Sequence, residues 1–482
     1  MLNTKRIINI IGLLVIIEGA FMSSSLIPAF IYGDGDLTAF LITVAITFIT
    51  GGAMWYFTRR ADKSVTRKEG FIIVSLVWIV FSLFGSMPYW LSGSIPSFSD
   101  AFFETISGFT TTGATVVDDI EGLPHGILFW RSLTQWMGGM GIIVLSLAIL
   151  PILGIGGMQL FIAEVPGPAK EKLHPRVKQT ARHLWVIYII FTGVETVLLL
   201  IGGMNLFDAV NHSFTTMATG GFSTRQDSIA YFDSPFIEYV ITVFMFIAGT
   251  NFILSFYAMR LRFDKLWNNE EFRFYTALII IFILTISLGL FLSQGYEPEE
   301  SFRRSAFQVV SIVTTTGFIT DDYLLWIPML SVLIFVLMFI GGSAGSTGGG
   351  IKIVRVLLIL KNSHLEIKRL IYPNAVIPVK LNNHPVSRII TGNVIAFGFI
   401  YILIIAVSVV LISSMGYGMD TSIGAAAACL GNIGPGIGMV GPVENFAHFP
   451  DLGKWFLSFL MLLGRLELFT VLVLFLPSFW KK

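Results

Sequence analysis

Four short glycine-bearing stretches recur at near-equal intervals along this chain and constrain its fold more than any other feature. They read Phe109-Thr110-Thr111-Thr112-Gly113-Ala114, Met217-Ala218-Thr219-Gly220-Gly221-Phe222, Val313-Thr314-Thr315-Thr316-Gly317-Phe318 and Gly431-Asn432-Ile433-Gly434-Pro435-Gly436. Aligned on Gly113, Gly220, Gly317 and Gly434, the copies are 107, 97 and 117 residues apart. A period near one hundred residues repeated four times is an internal repeat, and it dictates an architecture of four equivalent quarters.

Composition says where those quarters sit. Of the 482 residues, 54% are hydrophobic and only 13% charged, with mean hydropathy +0.79. A soluble domain carries about 25% charge, so the chain reads as an all-α integral membrane protein. Net charge of +1 gives no reason to expect nucleic acid as a partner, and the single cysteine, Cys429, allows no internal disulfide. The first apolar stretch, 7–32, exceeds the roughly 7–15 residues of a signal-peptide core and reads as a retained span.

Two spans, 7–31 and 37–57, joined by Gly33-Asp34-Gly35-Asp36, form an N-terminal appendage over 1–68. The repeats then occupy 69–165, 166–270, 271–385 and 386–482. Each has a span, a short segment ending at the glycine stretch, and a second span. The spans are 70–91 and 126–150, 184–203 and 236–257, 275–292 and 324–340, and 389–415 and 455–476. The segments before the glycines, 100–111, 208–218, 301–315 and 422–430, are too short to cross a bilayer, which takes about 20 residues. They read as re-entrant half-helices, giving ten spans and four half-helices around one fourfold pseudosymmetric axis.

Charge placement sets the orientation. The two termini and the loops between repeats hold 25 of the 31 lysines and arginines, whereas acids such as Asp118, Glu121, Asp227, Asp321 and Glu444 gather in the other loops. Basic loops stay cytoplasmic, so both termini are expected inside, with all four glycine stretches in the outer half. Irregular backbone at membrane depth must be buried in protein or line a watery path. Glycine adopts backbone angles that other residues avoid, so carbonyls of four such loops can turn to one axis and replace the hydration shell of an alkali ion. The half-helices aim their partly negative C-terminal ends at the same place. A single Thr-Gly run is an ordinary turn; four in register specify a constriction. The expected ligating residues are Thr111, Thr112, Gly113, Ala218, Thr219, Gly220, Thr315, Thr316, Gly317, Asn432, Ile433 and Gly434.

The third repeat carries a further anomaly. Its second span should be helical through Gly341-Gly342-Ser343-Ala344-Gly345-Ser346-Thr347-Gly348-Gly349-Gly350. Each glycine there costs about 1 kcal/mol relative to alanine in a helix. An unwound loop beneath the constriction is expected, able to occlude the path. The corresponding places in the first two repeats, Met137–Met140 and Ala248–Asn251, are milder. Read as a phosphate-binding loop instead, the stretch fails: Lys352 comes one position late and no serine or threonine follows it. A close helix crossing through small residues is the bland alternative.

Arg465 lies inside the last span, where a charge costs roughly 3 kcal/mol. It reads as a cation barrier facing the pore, or else as the buried partner of Glu195 or Glu467. Lys352 and Arg355 would snorkel to the inner surface. No residue spacing suggests a metal cluster or a nucleophile–base pair, so no enzyme activity is expected.

These stretches resemble the four filters of the TrkH/KtrB/HKT superfamily of potassium transporters. Gly464-Arg465-Leu466-Glu467 matches that family's last span, and residues 341–350 match its gating loop. The resemblance covers nearly the whole chain, and the two leading spans are similar to the TrkH branch rather than to KtrB. It implies a K+-selective pore, because glycine stands at all four filter places, with K+ (and Rb+) the transported ion. It also implies a homodimer in the bacterial cytoplasmic (inner) membrane, in contact with membrane lipid and bound to a cytosolic TrkA-like nucleotide-binding ring. Potassium symport with protons or sodium through Glu18, Glu195 or Glu467 is the alternative to a channel.

Overall fold

A computed structural model describes residues 2–61, 65–144, 173–375 and 377–481. The boundary drawn between 165 and 166 and the start of the basic loop at 170 lie outside them. The described chain is almost wholly helical; one two-residue hairpin, β1 (Lys380–Leu381) with β2 (His384–Pro385), is antiparallel.

The N-terminal pair consists of α1 (Thr4–Met22), continued through a short 3-10 turn by α2 (Leu26–Tyr32), and α3 (Leu37–Thr58). Small residues let α1 and α3 approach: a Cβ on Gly12 would lie 2.9 Å from the Gly51 carbonyl oxygen, and one on Gly51 2.9 Å from that of Gly12. The first repeat comprises α4 (Arg67–Gly85), a short α5 (Met87–Leu91), the half-helix α6 (Phe98–Phe109) and α7 (His125–Val144). A capping box starts α4, Thr66 and Glu69 each accepting the other's backbone N–H.

The second repeat has α8 (Leu173–Ile201), half-helix α9 (Leu206–Met217), α10 (Pro235–Ala248) and α11 (Phe252–Met259), followed by a connector, α12 (Phe263–Trp267). The third has α13 (Glu270–Gln294), half-helix α14 (Pro298–Val313), α15 (Pro328–Leu337) and, beyond a long irregular loop, α16 (Ile353–Ile371). The fourth has α17 (Arg388–Ser413), half-helix α18 (Met419–Gly431), α19 (Asp451–Arg465), α20 (Phe469–Leu472) and a terminal α21 (Pro477–Trp480).

The half-helices have 12, 12, 16 and 13 residues. At 1.5 Å per residue they are about 18–24 Å long, short of the ~30 Å hydrocarbon layer. Each carries an acid in its first turn, where the helix dipole favours it: Asp100, Asp208, Glu299 with Glu300, and Asp420. Ser97 and Asn205 cap the first two by accepting the N–H of Asp100 and Asp208.

Six helices among the described residues are long and apolar enough to cross a bilayer: the two leading spans and the first span of every repeat. The second spans differ from expectation. Only α7 runs unbroken, to the edge of the described residues. The expected continuous spans 236–257 and 455–476 are bent pairs, turning 113° between α10 and α11 and 111° after α19. In the third repeat α15 stops after 10 residues. The first span of each repeat thus passes as one continuous helix, and the breaks fall in the second spans.

The leading pair is also more than an appendage. Its acidic link caps α7: an Asp34 carboxylate oxygen accepts the N–H of His125 at 2.9 Å, and one of Asp36 accepts that of Ile127 at 3.1 Å. The His125 backbone N–H, and after it the His125 ring, hold the Asp34 carboxyl below its ordinary pKa.

Candidate functional site: the four-glycine ring and the loop beneath it

Every half-helix ends in the same way. The residue after its last turn takes a left-handed conformation: Thr111 (φ 51°), Thr219 (φ 54°), Thr315 (φ 59°) and Asn432 (φ 54°). The next N–H reaches back five residues, from Thr112 to Ser107, Gly220 to Thr215, Thr316 to Ser311 and Ile433 to Ala428, at 2.8–3.0 Å. This is the Schellman termination that glycine usually provides. Three β-branched threonines adopt it here, a conformation costing on the order of 1–3 kcal/mol each that persists only where surroundings enforce it.

One residue further, the chain turns again at Gly113 (φ 82°), Gly221 (φ 76°), Gly317 (φ 79°) and Gly434 (φ 95°). The structural register therefore corrects the sequence alignment by one residue in the second repeat: the equivalent of Gly113 is Gly221, and Gly220 is the equivalent of Thr112, Thr316 and Ile433. Gly220 is a glycine for another reason. Gln135 on α7 lies against it, donating from Nε2 to the Gly220 carbonyl (2.6 Å) and accepting the Phe222 N–H (3.1 Å). A Cβ at Gly220 would overlap that amide.

The four turns close into a ring. A Cβ added at Gly113 would overlap the carbonyl oxygen of Gly220; at Gly221, that of Thr316; at Gly317, that of Ile433; at Gly434 it would lie 2.8 Å from that of Thr112. Each glycine thus abuts the same carbonyl of the next repeat, in the order one, two, three, four and back to one. Gly113, Gly221, Gly317 and Gly434 line one cavity together with Thr115, Arg131, Arg225 and Glu444. Thr111, Thr112, Ala218, Thr219, Thr315, Thr316, Asn432 and Ile433 are fully buried around it. The Asn432 amide also joins repeats four and one, donating to the Thr112 hydroxyl at 2.9 Å.

Residues 341–350 are non-helical, as expected from their glycines. The loop lies against the C-terminal ends of the second, third and fourth half-helices. The Thr347 hydroxyl faces the carbonyls of Met217 (3.1 Å) and Ala248 (3.3 Å). The Gly349 N–H donates to the Thr315 hydroxyl at 2.6 Å. A Cβ at Gly349 would lie 2.6 Å from the Gly431 carbonyl oxygen, and one at Gly348 2.8 Å from that of Thr314. The breaks in neighbouring spans accommodate the loop. Gly249 accepts the Ser343 N–H (2.8 Å), and Asn251 caps α11 by accepting the Ile253 N–H (2.9 Å). Asn251 was thus the sequence signal for a helix start inside the second repeat's expected span.

Arg465 is 2% exposed. It pairs with neither Glu195 nor Glu467. It donates instead to two backbone carbonyls, Thr347 of the loop (2.6 Å) and Gly138 of α7 (3.1 Å). Glu467 is held by Arg355 at 2.6 Å. Arg355 and Lys352 are buried and do not snorkel; Lys352 donates to the Gly348 carbonyl, tying the loop back on itself. The pairing of Glu467 stands where the chain breaks after α19, with Glu467 (φ 57°) and Leu468 (φ 28°) left-handed. Glu18 is fully buried beside Gly85, its carboxyl oxygens without a hydrogen-bond partner among the described residues. Glu195 is fully buried beside Thr216.

The sequence profile of the TrkH family, described as a cation transport protein, matches residues 36–482. The Trk system potassium uptake protein TrkH of Salmonella typhimurium is 43% identical over 485 residues, covering all of both chains. The Trk system potassium uptake protein TrkG of Escherichia coli is 36% identical, covering 99% of each. Among solved structures, the crystal structure of the potassium transporter TrkH from Vibrio parahaemolyticus superimposes with TM-score 0.91 at 38% identity over the full length of both chains.

Proposed function

This chain belongs to the TrkH family of cation transport proteins, and from that premise we propose that it takes up potassium across the cytoplasmic membrane through a channel-like pore. Oxygens of the ring segments 111–113, 219–221, 315–317 and 432–434 form the selective constriction, with Gly221 in the place first given to Gly220. One observation carries this reading: four half-helices end in the same strained turn and abut one another cyclically, leaving a shared cavity. Four converging half-helix C-termini present partial negative charge, which favours a cation. Strain kept at three equivalent threonines is a mark of function rather than of folding.

Residues 341–350 act as the gate. The loop lies against the ends of three half-helices and is pinned by Arg465 and Lys352, whose positive charges add a barrier to cations on the same path. Gating from the cytosol by a nucleotide-binding partner, a homodimeric assembly and cytoplasmic termini belong to this proposal on the strength of family membership and the basic inner loops.

The test is 86Rb+ uptake into proteoliposomes with K+ or Na+ as competitor, together with the reversal potential of the current. A selective channel shows strong competition by K+, weak competition by Na+, and reversal at the potassium equilibrium potential at every pH gradient. Reversal that moves with an imposed proton or sodium gradient would establish symport instead.

A further inference from the structure

We infer that in three of the four quarters the side chain nine residues before the ring glycine is a positioning residue for ion discrimination: it braces the segment that leaves the ring. The inference rests on the filter reading above. The four residues are Glu104, His212, Gln308 and Ala425, and in three quarters they do equivalent work with different chemistry.

Glu104 accepts the Thr115 hydroxyl and the Val116 N–H, both at 3.0 Å, and is itself held by Arg131 at 2.6 Å. His212 is fully buried. Its Nδ1 lies 2.8 Å from the Asp208 carbonyl, which can only accept, so Nδ1 carries the proton. In the neutral ring Nε2 then accepts from the Ser223 hydroxyl at 3.0 Å, and the Ser223 oxygen in turn accepts the Arg225 N–H at 2.9 Å. Gln308 donates from Nε2 to the Asp321 carbonyl at 3.1 Å. Ala425 has nothing to offer. In that quarter the segment is held from the neighbouring repeat, where the Tyr323 hydroxyl donates to the Gly436 carbonyl at 2.7 Å.

All these bonds fall two to four residues after the ring glycine. They fix the segment whose other end is the glycine turn, and functional geometry needs such support to stay within about 0.5 Å. A ring freed on one side can draw in around an ion smaller than potassium. Loss of a brace thus lowers discrimination before it lowers throughput.

The experiment uses the full chain in proteoliposomes and reads 86Rb+ uptake with Na+ as competitor. Ser223→Ala removes the hydroxyl that donates in the second brace and leaves half-helix α9 intact; Tyr323→Phe removes the fourth. Each is expected to let Na+ compete about tenfold better, the effect of one lost hydrogen bond, with Rb+ uptake at saturation within about twofold of the unaltered protein. His212→Ala is expected to do the same, and His212→Gln, the residue type of the third quarter, to restore discrimination. Unchanged Na+ competition in both Ser223→Ala and Tyr323→Phe overturns the brace. An unaltered protein that does not distinguish Rb+ from Na+ overturns the filter reading instead.

Discussion

The guanidinium of Arg465 donates to the carbonyl of Thr347, 118 positions earlier and at the middle of the glycine-rich loop. Its other nitrogen reaches Gly138, so one side chain ties the loop, the fourth repeat and the first repeat together. A charged donor on a buried carbonyl is worth roughly 1.5–3 kcal/mol. Arg465→Met is therefore expected to free the loop and raise basal 86Rb+ flux in proteoliposomes about tenfold or more. Unchanged flux at equal protein incorporation would remove Arg465 from the gate.

Lys352, just past the loop, holds the neighbouring carbonyl, that of Gly348. Lys352→Met should also raise basal flux. Because both cations hold one element, the double variant should exceed either single one by less than the product of their separate effects. Multiplicative effects in the flux assay would mean that the two act on different structures.

The ring register separates two adjacent glycines. Gly221→Ala places a methyl against the Thr316 carbonyl at positive φ, and should abolish selective uptake with no rescue from other positions. At Gly220 the three atoms nearest an added methyl all belong to the Gln135 side chain. Uptake by Gly220→Ala should recover at least in part when Gln135→Ala is added. Rescue of Gly221→Ala by the same change would show that the two roles are assigned the wrong way round.

Glu467 and Arg355 form an ion pair with both side chains largely buried. Removing one member of such a pair leaves an uncompensated charge and costs about 3–5 kcal/mol. Glu467→Gln should lower the thermal midpoint in detergent by several degrees, while the reversal potential stays where potassium sets it. A shift of reversal potential with Glu467→Gln would give this acid a coupling role.

Asp34 caps α7 from the N-terminal link, and its carboxyl is held below the usual range by His125. A depressed folded-state pKa contributes stability above the ordinary value of about 3.9, and that contribution is lost as pH falls through the folded value. Asp34→Asn should therefore be less heat-stable than the unaltered chain at pH 7. The gap should narrow below about pH 4. An equal gap at pH 7 and pH 3 would place the effect elsewhere.

Local chemistry was enough for the sequence to determine the membrane class, the four repeats, the half-length helices and the unwound loop. Hydropathy, helix length and glycine content act over a few to about twenty residues, and each leaves its mark in the run that carries it. Which of Gly220 and Gly221 turns the chain was not written locally. It depends on Gln135, 85 positions away, filling the space that a side chain at 220 would need. The bend after α19 was equally invisible, because the side chain of its left-handed Glu467 is held by Arg355, 112 positions away. Tertiary structure alone decided that Arg465 would answer to backbone oxygens rather than to an acid: a buried charge takes the partners that packing brings within reach, and here those lie 118 and 327 residues away.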